Sequence, residues 1–173
     1  MFTNSKLSQK SNLLTNSLFV WLEPGETRLQ LVEKNVGIMK SIITKVLEYS
    51  PKAAVCIVTN PCDIMSAVAA KLSPNARPGQ IFGSGTVLDS GRFRGLLAAS
   101  LNVAPKSVHS YIIGEHGDSC VPVWSAVRVG GVPLLKPGEN PSNVHKAVHM
   151  EVVHSGADVI SKKVSQCRYF CNL

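Results

Sequence analysis

The stretch AAVCIVTNP, residues 53–61, constrains the fold of this chain more than any other. Residues 53–59 carry no charge and are rich in Ala, Val and Ile, and an Asn-Pro turn follows at once. The run is too short for a buried helix and has no polar face. It fits a central strand of a parallel sheet, covered by helices on both faces. A parallel neighbour requires a crossover connection, so such a strand predicts helices before and after it.

Both helices are legible. Residues 28–49 place Leu31, Val32, Val36, Met39, Ile42, Ile43 and Leu47 at three- to four-residue steps, after the turn EPGET with Thr27 as a potential N-cap. Ser50-Pro51 stops that helix. DIMSAVAAKL (63–72) predicts a second helix, broken by Pro74, Pro78 and Gly79. QIFGSG (80–85) reads as another short strand and VLDSGRFRGLLAASLN (87–102) as a third helix. SVHSYIIG (107–114) is strand-like, and VWSAVRVGGVPLL reads as a hairpin turning at Gly130-Gly131. A last helix follows Asn140 or Ser142 as N-cap. Residues 1–16 show no periodicity, LFVWL (18–22) is a short apolar run that could patch a sheet edge, and VSQCRYFCNL fits no element. Parallel αβ units thus pass, near residue 105, into an antiparallel α+β layer.

Composition removes several function classes. The 173 residues, 45% apolar and 17% charged, suit a folded chain with a real core rather than a disordered one. No apolar run approaches the roughly 18–20 residues that span a bilayer. The net charge of +7 invites a nucleic-acid reading. The cations are scattered, however, and aromatics are few, so neither a phosphate stripe nor a stacking platform is present; a small anionic substrate suits the excess charge better. Five cysteines, an odd number without framework spacing, predict a reduced, intracellular chain. His145, His149 and His154 with Cys167 and Cys171 could be combined into a zinc site, but a polar helix face and a tail account for them more simply, and no metal is expected.

Polar groups gather at element ends. Arg28 follows the Pro-Gly turn, Asn60 ends the apolar strand, Asp89 and Arg92 share a helical turn, and His116 stands in GEHGDS after the strand-like run. Residues just past the carboxyl ends of parallel strands converge on one crevice, which suits Asn60 and His116. Taken singly, each has an ordinary structural explanation; Asp89 with Arg92 could be a surface ion pair.

PGETRLQLVEKNVGI, IVTNPCDIM, FGSGTVLDSGRFR and GEHGDSCVPVWS together resemble the NAD-dependent L-lactate dehydrogenase family, in order and near its spacing, over residues 23–163. A malate dehydrogenase-like 2-hydroxy acid enzyme is the neighbouring alternative. The resemblance implies an α/β fold: a partial Rossmann-type parallel sheet, its second half only, then the start of an α+β substrate domain. The corresponding segments are an atypical N-terminal stretch (1–22), a partial dinucleotide-binding domain (23–104), a partial catalytic domain (105–163) and an atypical tail (164–173). It further implies NAD as cofactor, lactate and pyruvate as substrates, a homotetramer, a cytoplasmic location, and no nucleic-acid or membrane partner.

The resemblance assigns roles too. His116 exchanges the proton at the substrate oxygen, and Asp89 holds its imidazole and stabilises the charged form. Arg92 binds the substrate carboxylate with both prongs of its guanidinium. Arg28, on a closing loop, binds substrate and polarises the reacting carbonyl. Asn60 touches substrate and cofactor, and Val58 and Thr59 contribute to the cofactor contact. Two departures stand beside this. No G-x-G-x-x-G turn occurs, since GSGTVL fails the pattern. Trp21 and Leu22 occupy the positions where the family pattern has a cofactor-contacting arginine and a specificity residue. An internal piece of such an enzyme, joined to unrelated ends and with little or no turnover alone, is the expectation; a truncated isoform that associates with full-length subunits is the competing one.

Overall fold

The computed structural model describes residues 13–16 and 28–162. LFVWL, the EPGET turn, Cys167 and Cys171 lie outside the described residues. What is described divides into two compact units that part between Gly85 and Thr86.

The first unit is a three-stranded parallel sheet in the order β1-β2-β3, formed by Leu13–Asn16, Ala54–Ile57 and Ile81–Gly83. Helix α1 (Arg28–Tyr49) connects β1 to β2, and α2 (Cys62–Lys71) connects β2 to β3. Two successive crossovers of one hand onto neighbouring strands put both helices on the same face. Met39 and Ile43 of α1 and Met65 and Ala69 of α2 accordingly pack with Val55 and Ile57 of β2.

Two expectations need correction here. Residues 1–16 show no periodicity that announces an element, yet Leu13–Asn16 pairs in parallel with Ala54–Ile57 over four residues. That short segment, not LFVWL, is the described neighbour of β2 on this edge; four residues without alternation are too few to announce a strand. In addition, among the described residues of the first unit, β2 is not covered equally on its two faces. Val55 and Ile57 are buried, whereas Ala54 and Cys56 are only half-buried and the neighbouring Phe82 is exposed, because α1 and α2 both lie on the Val55 side among the described residues. Gly83 is required by proximity: a Cβ there would run into the side chain of Ser66 on α2.

The second unit begins with α3 (Val87–Ser100), continues through short antiparallel strands and ends with α4 (Asn143–Lys162). The run expected as one strand over 107–114 is broken. Pro105–Ser107 is a 3-10 turn, Val108–His109 forms β4 and Ile112–Ile113 forms β5, with the buried Ser110 at the break. These two halves pair with different partners, β5 with β6 (Val121–Pro122) and β4 with β7 (Arg128–Val129), so the chain must turn between them. The turn at Gly130-Gly131 forms as the sequence predicts, pairing β7 with β8 (Val132–Pro133), and both glycines have positive φ, 57° and 86°; the strand expected before it is shorter, because Trp124–Ala126 is a 3-10 turn.

Phe93 and Leu97 of α3, Val108, Ile112, Cys120 and Val127 from the strands and loops, and Val148 and Val152 of α4 form the core of this unit. Helix α3 therefore belongs with the antiparallel layer, whereas the sequence draws the boundary after residue 104. The apolar face of α3 finds its partners only in residues that follow it. At the start of α4, Ser142 serves as the cap: its hydroxyl accepts from the His145 backbone N–H at 3.3 Å, while His145 Nδ1 accepts from the Ser142 N–H at 3.2 Å. This reciprocal pair is a capping box with histidine in the place usually held by Glu.

Candidate active site

The first turn of α3 carries Asp89, where the positive end of the helix dipole favours a carboxylate. Its side chain is 7% exposed and would be costly to bury as an unpartnered anion. The partner is His116: Nδ1 lies 2.6 Å from Asp89 Oδ2. A carboxylate only accepts, so Nδ1 carries the proton in this bond.

Arg92 sits one turn along the same helix. Its Nη1 is 3.9 Å from Asp89 Oδ1, a contact far longer than the Asp89–His116 bond, and its side chain keeps 25% of its surface exposed. Asp89 thus commits its short hydrogen bond to the imidazole, and the planar donor fork of Arg92 remains suited to a carboxylate from outside.

Local structure holds α3 to the strand that leads to His116. Thr86 Oγ1 donates to the Ile112 carbonyl at 2.6 Å, and Ser90 Oγ accepts from the Ile112 N–H at 2.9 Å. Thr86 and Ser90 flank Asp89 on either side, so two hydroxyls tie the helical turn bearing the carboxylate to β5. The sequence reading overlooks both residues. Their only signal is a pair of hydroxyl side chains at i and i+4 around an acid, which any solvent-facing helix start could show.

Of the residues singled out in the sequence, the structure brings Asp89, Arg92 and His116 together. Val58, Thr59 and Asn60 follow β2 in the first unit, past the carboxyl end of that parallel strand, as expected. Thr59 is buried and Asn60 exposed. The Asn60 carbonyl accepts from the side-chain amide of buried Asn35 on α1 at 2.8 Å, and the Asn60–Pro61 peptide is cis. Arg28 is the first residue of α1; its side chain lies outside what the structure describes.

Two of the histidines considered for zinc, His145 and His149, have separate occupations. The His145 ring packs against Trp124 with centroids 5.5 Å apart, and His149 Nε2 is 3.1 Å from the Cys120 carbonyl oxygen. Among the described residues no group of three His, Cys, Asp or Glu could hold a metal ion. None of the described helices is long and apolar enough to cross a membrane.

An α/β scaffold here pairs a buried carboxylate with an imidazole, next to a guanidinium on the same helix. Residues 20–83 match the lactate/malate dehydrogenase NAD binding domain, and residues 86–168 match the alpha/beta C-terminal domain of the same family. The chain belongs to the lactate/malate dehydrogenase family.

It is 49% identical over 146 residues to the L-lactate dehydrogenase A chain of Lycodichthys dearborni, covering 82% of this chain and 44% of that one. The L-lactate dehydrogenase of Synechococcus sp. (strain JA-3-3Ab) is 47% identical over 142 residues, covering 81% and 46%. Among solved structures, the ligand-bound minor L-lactate dehydrogenase of Enterococcus mundtii superposes with a TM-score of 0.81 at 34% identity, over 91% of this chain and 51% of that one. The chain spans less than half the length of the curated relatives it matches.

The fold is a small parallel sheet of Rossmann type followed by the alpha/beta C-terminal domain of the family. The matched first domain is by its family an NAD-binding one. A turn past the carboxyl end of a parallel strand, with its backbone fixed by Asn35 and the Asn60 side chain exposed, is a place among the described residues where such a nucleotide would fit. The sequence holds no G-x-G-x-x-G turn, so no residue is assigned to the pyrophosphate.

Proposed function

We propose that this chain carries the acid–base and carboxylate-binding chemistry of an NAD-dependent L-lactate dehydrogenase, acting on lactate and pyruvate in the cytoplasm. The observation that supports it most is the 2.6 Å bond between buried Asp89 and His116 Nδ1, with Arg92 one helical turn from the carboxylate. NAD, when bound, would supply the hydride-accepting chemistry at the carbon that bears the hydroxyl. His116 Nε2 receives the hydroxyl proton, and Asp89 stabilises the imidazolium that results. Arg92 pairs with the substrate carboxylate and orients the molecule. Arg28 supplies positive charge at the oxygen, which is alkoxide-like as the carbonyl is reduced in the reverse direction. Val58, Thr59 and Asn60, past the carboxyl end of a parallel strand, would hold the cofactor.

Turnover by this chain alone is expected to be slight, because its sequence lacks the glycine-rich pyrophosphate turn. The test follows pyruvate by saturation-transfer NMR, with and without NADH, for the parent chain, Arg92→Lys and His116→Gln. Contact with pyruvate that Arg92→Lys removes supports the reading. Contact that is absent, or indifferent to Arg92→Lys, overturns it. Micromolar affinity for NADH would overturn the expectation of slight turnover.

A second reading, association with full-length subunits of the family, is favoured by exposed apolar side chains on the second unit: Val87, Leu88, Tyr111, Ile113 and Val121. Co-purification of a tagged copy with an intact L-lactate dehydrogenase expressed beside it is the check.

A further inference from the structure

His116 stands in a loop, residues 114–120, between β5 and β6. The loop closes on itself where the Cys120 N–H donates to the Gly117 carbonyl at 3.2 Å. Its last residue is then held from outside. His149, on α4, places Nε2 at 3.1 Å from the Cys120 carbonyl oxygen and 3.6 Å from the Cys120 sulfur. A carbonyl only accepts, so the hydrogen bond requires the proton on Nε2 of His149.

Helix α4 is a firm support for such a contact. Val148, next to His149, and Val152, one turn on, are buried in the cluster that holds Phe93 and Leu97 of α3, the helix that carries Asp89. The two ends of the Asp89–His116 bond are therefore fixed through one core. Asp89 is positioned by α3; His116 is positioned by a loop whose carboxyl end is tied to α4, which packs on α3. An imidazole 2.6 Å from a carboxylate tolerates little drift, since a misplacement of about 1 Å at a reacting group can cost about a hundredfold in rate.

We infer that His149 is a positioning residue for the acid–base histidine: its Nε2–H bond to the Cys120 carbonyl sets the loop so that His116 Nδ1 meets Asp89. The inference rests on the acid–base role proposed for His116, and it gives a task to a histidine that sequence pattern alone reads as part of a polar helix face.

The test uses the full chain labelled with 15N and has readouts that need no turnover. Long-range 1H–15N correlation of the wild-type protein should show His149 protonated on Nε2. A neutral ring protonated on Nδ1 overturns the inference. The low-field proton shared by His116 Nδ1 and Asp89 is the second readout. His149→Leu should abolish or broaden it and shift the amides of residues 115–120. His149→Gln, which restores an N–H donor of similar reach, should return it. A His149→Leu protein that keeps the low-field proton unchanged also overturns the inference.

Loss of stability alone would lower the melting temperature without rescue of the proton signal by glutamine, and that pattern counts against a positioning role. Should His149→Leu fail to fold, the wild-type tautomer and the glutamine variant still decide. Absence of the low-field proton from the wild-type chain would instead remove the proposed acid–base pair, and the tautomer of His149 would judge its own contact separately.

Discussion

Phe93 is fully buried and meets Trp124 edge-on, with ring centroids 5.1 Å apart. Few residues in the second unit have as much to lose. Phe93→Ala removes apolar area, leaves a cavity and breaks an aromatic pair, so a loss of about 3–5 kcal/mol is expected in urea denaturation followed by Trp124 fluorescence. A comparison at an exposed site of the same helix, Arg94→Ala, should stay within about 0.5 kcal/mol. Cys120 gives a second prediction at this scale. Burial pushes its thiol above the ordinary range, and the carboxylates of Asp89 and Asp118 add to the shift against an opposing backbone hydrogen bond. Iodoacetamide should therefore modify Cys120 slowly at pH 8 in the native chain and quickly in denaturant, because only the thiolate reacts. The sign for stability follows. Below the ordinary thiol pKa both states are neutral at this site and nothing is lost. As pH rises through that value the unfolded thiol ionises first, so the native state loses stability with increasing pH, and Cys120→Ala should reduce that loss.

At the scale of elements, the hairpin between β7 and β8 makes a sharp test of turn chemistry. Val129 pairs with Val132 across two glycines that both adopt the left-handed region. A Cβ at either glycine would find open space, so backbone conformation alone decides the outcome. Gly130→Asn should be nearly neutral, since Asn tolerates that region. Gly131→Val should cost about 1–2 kcal/mol, measured by thermal unfolding. This turn was legible in the sequence because a Gly-Gly pair between alternating residues has few other meanings. Helices α1, α2 and α3 and strand β2 were legible for a similar reason: each carries enough apolar residues to display a period. Strands of two residues carry no period, which is why β6 went unread and the break at Ser110 was missed. The site was legible only in combination. Asp89, Arg92 and His116 each have an ordinary reading, and the GEHGDS and LDSGRFR motifs together single them out. The task of His149 could not be read, because it depends on where α4 lies against the loop, and no local pattern encodes that.

The whole molecule carries a formal charge of +7 and a set of exposed apolar side chains on its second unit. Single exposed apolar residues are common on any protein surface; adjacent ones are the informative case. Ile113 and Val121 are register partners across β5 and β6, and they are 53% and 52% exposed, so they form one apolar spot rather than two scattered side chains. Burial of one such side chain is worth about 1.5–3 kcal/mol, and about 1.4 kcal/mol is a tenfold change in an association constant. Self-association through this spot should then weaken by tenfold or more for each residue made charged. The paired substitution Ile113→Lys with Val121→Lys should shift sedimentation velocity profiles toward the monomer at concentrations where the parent chain associates. It also raises the net charge from +7 to +9, which adds repulsion between copies. High salt separates the two contributions, because screening removes the repulsion and leaves the apolar loss in place. A parent chain that stays monomeric at every concentration, or a variant that sediments like the parent in high salt, would show that this face meets solvent rather than a second copy.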